Sequence, residues 1–277
     1  MLDAITSGSA ALDLHDARQV IDAQWTGAAV MRNRLFAALP AGVQDRLLPH
    51  IEPVQLLQGC VVCGPADPLR YAIFPVESIL SLCNELHDSR SVEVASVGND
   101  GMVGVTSLMS ANGSSTRAVV RVSGVACRIN MRRLHEEWSR HDDCHPVMLR
   151  YTHVLVTQIA QTALCIRHHS IEQQFCRSLL MALDRLPGHI VCMTHEKIGE
   201  MLGVRRESIT ETARKLQLSG IIDYGRGRIE VRDRSRLERL SCECYRVVSE
   251  ESARLLPRIR RETSGSDRII GRGCIVT

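Results

Sequence analysis

Aromatic residues make up only 3% of the 277 positions. Single strands and RNA loops are held by stacking bases on such rings, so this chain lacks the platform for them. Its cores must be aliphatic, and 44% hydrophobic content is ample for two domains. Long apolar runs are also missing: none reaches the length of a membrane-spanning helix. The start, Met1-Leu2-Asp3-Ala4-Ile5, has no basic region followed by an apolar stretch. A cytoplasmic protein with no membrane partner is expected. The 11 cysteines are odd in number and follow no framework, which fits a reducing compartment better than a disulfide scaffold.

What is present is most legible between Thr194 and Val231. Thr194 can cap a helix, Ile198, Met201 and Leu202 recur at helical spacing, and Gly203 permits a sharp turn. In the helix that follows, Ile209, Thr212, Ala213 and Leu216 share one side while Arg206, Glu207, Thr210, Glu211 and Arg214 share the other. Ile221-Ile222 and Ile229-Glu230-Val231 read as short strands joined by Tyr224-Gly225-Arg226-Gly227-Arg228, a tight hairpin. Two helices and a wing form a winged helix-turn-helix. From Arg205 to Arg234 there are eight basic residues against five acids, although the whole chain carries only +3; duplex DNA draws on such local excess.

Residues 1 to about 31 show weak periodicity. Arg34 to Leu39 and Val43 to Leu48 read as short helices, each closed by a proline. From Val54 to Ile129, short apolar runs alternate with turn residues, including the runs at 71–74, 79–82, 92–97, 118–122 and 126–129, as in a sandwich or barrel. The stretch 87–90 reads as a hairpin loop, and Gly98-Asn99-Asp100-Gly101 as a second turn. Met131 to Trp138 is a short helix. A long helix from Pro146 places Leu149, Thr152, Leu155 or Val156, Ile159, Thr162 or Ala163, and Ile166 in a three-four repeat. Such a seam pairs with its own copy or packs on its own barrel. A helix from Ile171 to Leu186 leads to the reading motif. Helical character resumes from Arg236 to about Leu256, and a mobile tail is expected after it.

This order of parts resembles the Crp/Fnr family of bacterial transcription regulators over about residues 33–240. The most specific match is Ile198-Gly199-Glu200-Met201-Leu202-Gly203-Val204-Arg205-Arg206-Glu207-Ser208-Ile209. An α+β chain with five parts is expected: a flexible segment at 1–32, and, as the resemblance implies, a cyclic-nucleotide-binding-like β-barrel (jelly roll) at 33–143 and a dimerisation helix at 144–169. A winged helix-turn-helix at 170–240 and a C-terminal helix with its tail at 241–277 complete it. The resemblance implies a homodimer on a near-palindromic operator, with double-stranded DNA and RNA polymerase as partners and a small-molecule effector of unknown identity. Residues matching Arg206 and Glu207 reach base edges in the family. An arginine fork suits guanine and a carboxylate suits the cytosine amino group. Arg205 stands where the family often has a capping Ser or Thr, which weakens the cap and suits a phosphate contact. Thr194, Ser208, Thr210, Glu211, Arg214, Arg226 and Arg228 complete the expected DNA-binding set.

The barrel departs from the family. Cyclic-AMP-binding members use Gly-Glu and Arg-Ser pairs for ribose and phosphate, whereas this chain has Gly101-Met102-Val103-Gly104 and Thr116-Arg117-Ala118. These six residues, Gly101 to Gly104 with Thr116 and Arg117, are the candidate effector pocket. A cyclic-nucleotide- or redox-responsive regulator of the same fold is the alternative. A cupin-like metalloenzyme needs clustered His and Glu on strands, and only His50 and His87 occur between Asn33 and Asn130. No enzyme, cofactor or metal is expected. Cys60 and Cys63 face opposite sides of a regular strand. Cys242 and Cys244 diverge on a continuous helix. Cys165 with His169, and His141 with His145, could converge as pairs, but a pair is no site, so the cysteines read as small core residues.

Overall fold

The computed structural model describes residues 27–64, 69–87, 91–110, 116–140 and 144–256. The expectations for 1–26, for the loop at 88–90, for His141 and for the tail beyond 256 lie outside those residues.

A 3-10 turn, Gly27–Arg32, precedes α1 (Arg34–Ala37) and α2 (Ala41–Leu47). Val30 is fully buried, so the core begins ahead of Asn33. Asn33 fastens this start to the barrel: its Oδ1 accepts from the Phe36 amide, and its Nδ2 donates to the carbonyls of Pro75 and Gly101, both at 2.8 Å. A buried amide with every contact used is a fixed point.

Seven strands follow: β1 (Glu52–Leu56), β2 (Val61–Cys63), β3 (Tyr71–Pro75), β4 (Ile79–Glu85), β5 (Ser91–Val97), β6 (Arg117–Val122) and β7 (Gly124–Asn130). The helix α3 (Val105–Met109) lies between β5 and β6. Antiparallel sheets β1-β7-β3 and β2-β6-β4-β5 enclose Val54, Leu56, Ile73, Leu80, Val97 and Val120. Alternate residues point to opposite faces, so Ala72 and Phe74 of β3 turn away from Ile73 into a second core with Phe36, where the two phenyl rings meet edge to face at 5.5 Å. Burial on both faces is why this run is apolar without alternation.

After α4 (Met131–Ser139) comes α5 (Cys144–His168). Its inner side packs Val147, Met148, Tyr151 and Leu155 on the barrel, and the Tyr151 hydroxyl donates to the Met102 carbonyl at 2.8 Å. Of the two seam alternatives at 155 and 156, Leu155 is the buried one at 7% exposure and Val156 is open at 57%. One residue is 100° of rotation on a helix, so a spacing-only reading could not separate these neighbours. The exposed stripe is Leu149, Val156, Ile159, Ala163 and Ile166.

The rest of the chain forms α6 (Ile171–Leu183), β8 (Ile190–Cys192), α7 (His195–Leu202), α8 (Arg206–Leu218), β9 (Ile222–Gly225), β10 (Arg228–Val231), α9 (Arg234–Leu240) and α10 (Glu243–Leu255). β8, absent from the sequence reading, pairs with β10 to make a third antiparallel sheet, β8-β10-β9. The single helix expected from Arg236 is two helices. Ser241 and Cys242 are extended (φ −75°, ψ 161° and φ −81°, ψ 163°) and break it. That break overturns the divergence expected of Cys242 and Cys244, because the argument required unbroken helix between them.

Candidate nucleic-acid interface

The Thr194 hydroxyl accepts from the Lys197 amide at 3.2 Å, which starts α7. Gly203 ends it at φ +67°, in the left-handed region where a side chain is disfavoured. The turn then folds back hard, with the Val204 amide donating to the Gly199 carbonyl at 2.9 Å. A Cβ at Gly199 would lie 2.9 Å from the Val204 carbonyl oxygen. Both glycines of the motif therefore have a steric reason: one turns the chain and the other lets it pass.

Arg205 is the extended N-cap of α8, and its side chain makes no capping bond. In α8, Ile209, Thr212, Ala213 and Leu216 are buried, while Arg206, Glu207, Thr210, Glu211 and Arg214 are exposed, with Ser208 between. Of these, Glu211 is paired with Lys215 at 2.9 Å one turn on, and its carboxyl is held below the usual range by the hydrogen bond and charge of that lysine. Among the described residues, Arg205, Arg206, Arg214 and Arg226 are exposed and form no ion pair or side-chain hydrogen bond within the chain. Exposed, unpaired guanidiniums are available to an anionic partner without breaking a contact.

The wing turn is Arg226-Gly227, both at positive φ (53° and 73°), the signature of the primed hairpin turns. Arg226 is the only non-glycine described residue at positive φ, and a side chain there costs about 1–2 kcal/mol. The turn holds this arginine at the tip of the hairpin. Arg228 lies 3.9 Å from Glu230, which Arg232 approaches at 2.9 Å, so the base of the wing is partly neutralised.

His195, which the sequence did not single out, ties the three pieces together. Its ring stacks on Tyr224 of β9 with centroids 3.9 Å apart. Its Nδ1 lies 3.0 Å from the Thr210 hydroxyl. Because Thr210 donates to the Arg206 carbonyl, it accepts from Nδ1–H, which leaves Nε2 as the bare nitrogen. Nε2 is buried without a hydrogen-bond partner among the described residues. Burial, and secondarily the Arg206 charge, hold this imidazole below its ordinary pKa. The Thr210 hydroxyl thus ties the first turn of α8 to α7. No local signal could have revealed this contact, since it joins α7, α8 and the wing.

The barrel residues fall elsewhere. Met102 and Val103 are core residues, the carbonyls of Gly101 and Met102 are taken by Asn33 and Tyr151, and a Cβ on Gly101 would lie 2.5 Å from the Tyr151 ring. Gly104, at φ +112°, begins α3. Thr116 precedes β6 and Arg117 opens it, with Arg117 3.6 Å from Glu85. The structure packs 101–104 tightly, and no described contact joins it to Arg117.

Residues 173–240 match the model of the Crp-like helix-turn-helix domain. Among solved structures, the chain is similar to FixK2 from Bradyrhizobium japonicum, at 17% identity over 69% of this chain and 98% of that one, with a TM-score of 0.58. It is similar to a putative transcriptional regulator of the crp/fnr family from Eubacterium rectale (16% identity, 74% and 96% covered, TM-score 0.57). A putative cAMP-binding regulatory protein from Silicibacter pomeroyi also matches (15% identity, 77% and 97% covered, TM-score 0.56). At these identities the likeness is one of fold. No curated protein matches the chain.

Proposed function

We propose how this chain, a DNA-binding transcription regulator with the fold of the Crp/Fnr proteins and a Crp-like helix-turn-helix domain, reads its target. α8 enters the major groove, and Arg206 and Glu207 meet base edges there. Arg205, Arg214 and the wing arginines Arg226 and Arg228 hold phosphates. The observation that carries this reading is the set of exposed guanidiniums at Arg205, Arg206, Arg214 and Arg226, unpaired among the described residues and grouped on α8, its N-cap and the adjoining hairpin.

Two copies pair through the exposed stripe of α5. Leu149, Val156 and Ala163 are seven apart, as are Ile159 and Ile166, which is the spacing of a two-stranded seam. Single exposed apolar residues are ordinary, but a stripe running the length of a helix is not. A two-fold axis along it supports an operator that is a near-palindrome with half-sites about one helical turn apart. The closed packing at Gly101–Gly104 and the lack of a glutamate there disfavour a cyclic nucleotide held in the family manner.

Selection of bound DNA from a random duplex pool tests this directly. Recovered sequences should share two inverted half-sites. Enrichment without inverted symmetry would overturn the dimeric reading, and no enrichment would overturn sequence reading by α8.

A further inference from the structure

Cys165 and Cys242 stand 77 positions apart, yet their Sγ atoms lie 3.5 Å from each other. The Sγ of Cys244 lies 3.6 Å from Nδ1 of His169. The ligand atoms of all four residues fall within 4.8 Å of one another, and the three cysteines are buried as a cluster of their own. We propose that Cys165, His169, Cys242 and Cys244 form a mononuclear Cys3His zinc site that clamps the end of α5 to the start of α10.

The distances suit one tetrahedral ion. With Zn–S near 2.3 Å and Zn–N near 2.0–2.1 Å, the tetrahedron has S···S edges of about 3.8 Å and S···N edges of about 3.5 Å. The two short contacts already match these to a few tenths of an ångström, and the widest pair must close by about 1 Å. Calcium and magnesium require oxygen donors, and thiolate with imidazole selects zinc among common ions. A multi-iron cluster needs ligands spread around it, and this group is too tight to enclose one.

Buried cysteines by themselves are ordinary small apolar residues. That reading leaves three features without a reason. First, the His169 ring points Nδ1 at Cys244 while its Nε2 lies 3.2 Å from Glu243, the carboxylate-imidazole-metal arrangement that fixes a ligand's tautomer. Second, the break between α9 and α10 makes Cys242 the N-cap of α10. The turn there brings the Cys242 and Cys244 thiols to the same side, within 4.8 Å of one another. Third, Arg177 is buried beside Cys165 in the same cavity, hydrogen-bonded to Thr162 at 3.0 Å, with its Nε lacking a partner among the described residues; three thiolates and a neutral imidazole around a dication leave one negative charge for that cation to offset.

The site lies at a junction. α5 carries the exposed stripe, and α10 follows the winged domain through α9. Metal bound here contributes its binding free energy to the fold of that junction, because neither helix end holds all four ligands.

The full chain, purified under a thiol reductant without chelator, should carry one zinc per chain by elemental analysis and keep it through dialysis. Replacement by cobalt(II) should give the visible bands of a tetrahedral ion together with thiolate charge-transfer absorption. Cys242→Ser and Cys244→Ser should each lose stoichiometric metal, whereas Cys60→Ser should retain it. His169→Cys should keep the metal and change the cobalt spectrum, which separates ligand loss from misfolding. A wild-type chain with reduced thiols that stays metal-free after incubation with zinc would overturn the site, as would Cys242→Ser that binds as wild type does.

Discussion

The guanidinium Nε of Arg185, just past the end of α6, lies 2.9 Å from Oδ1 and 3.0 Å from Oδ2 of Asp100 in the barrel. Both side chains are nearly buried, and Arg185 also donates to Ser96 at 2.6 Å and to Gln158 of α5 at 3.1 Å. Gly98 passes so close that a Cβ there would lie 2.7 Å from the Arg185 side chain. Barrel, α5 and the approach to the winged domain therefore meet on one arginine. A second, Arg121, donates to Ser178 of α6 at 2.6 Å and pairs with Glu93 at 3.4 Å.

Removing one partner of a buried ion pair strands the other charge. Arg185→Ala should lower stability by about 3–5 kcal/mol, read from urea unfolding, with the loss concentrated in contacts between barrel and winged domain. A change below about 1 kcal/mol would mean that water reaches Asp100 as soon as the arginine is gone.

Arg206→Ala should weaken binding at the specific operator by about 1–3 kcal/mol and relax the preference at one base pair of each half-site. Arg226→Ala should weaken specific and unrelated duplexes alike and make binding less sensitive to salt. Fluorescence titrations on matched and scrambled duplexes distinguish the two. Equal weakening by Arg206→Ala on both would reassign that residue to phosphate.

Val156→Glu places a charge in the exposed stripe and should give a folded monomer with poor affinity for a palindromic site. Leu155→Glu, one residue away, should instead destabilise the barrel core by several kcal/mol, because it buries an unpaired carboxylate. Light scattering and thermal unfolding of the pair separate interface from core. A dimeric Val156→Glu would sink the stripe as the interface.

His195 makes stability fall in mild acid. Its folded pKa is depressed, so the unfolded chain binds the proton first, near pH 6.5. Stability is full above that pH and declines as pH drops through it toward the lower folded value. Unfolding of the winged domain at about pH 7.5 and about pH 5.5 should show the loss. His195→Phe, which keeps a ring on Tyr224, should flatten it. An unchanged profile in that variant would place the titrating group elsewhere.

Local pattern alone determined much of this protein. Thr194, Gly203, the two faces of α8 and the glycines around Arg226 are read within a few residues of themselves, because capping, helical period and turn chirality are short-range effects. The strands of the barrel were legible for the same reason. Where a reading depended on which of two neighbours turns inward, as at Leu155 and Val156, the spacing held both answers, and only packing on the barrel chose between them. Three contacts lay beyond any local signal: His195 beneath Tyr224, Arg185 on Asp100, and Cys242 and Cys244 brought to Cys165 and His169. Each joins residues distant in the chain, and the last depends on a helix break at Ser241 that no proline or glycine announces. Sequence specified the winged helix-turn-helix, and the tertiary fold decided what holds it to the rest.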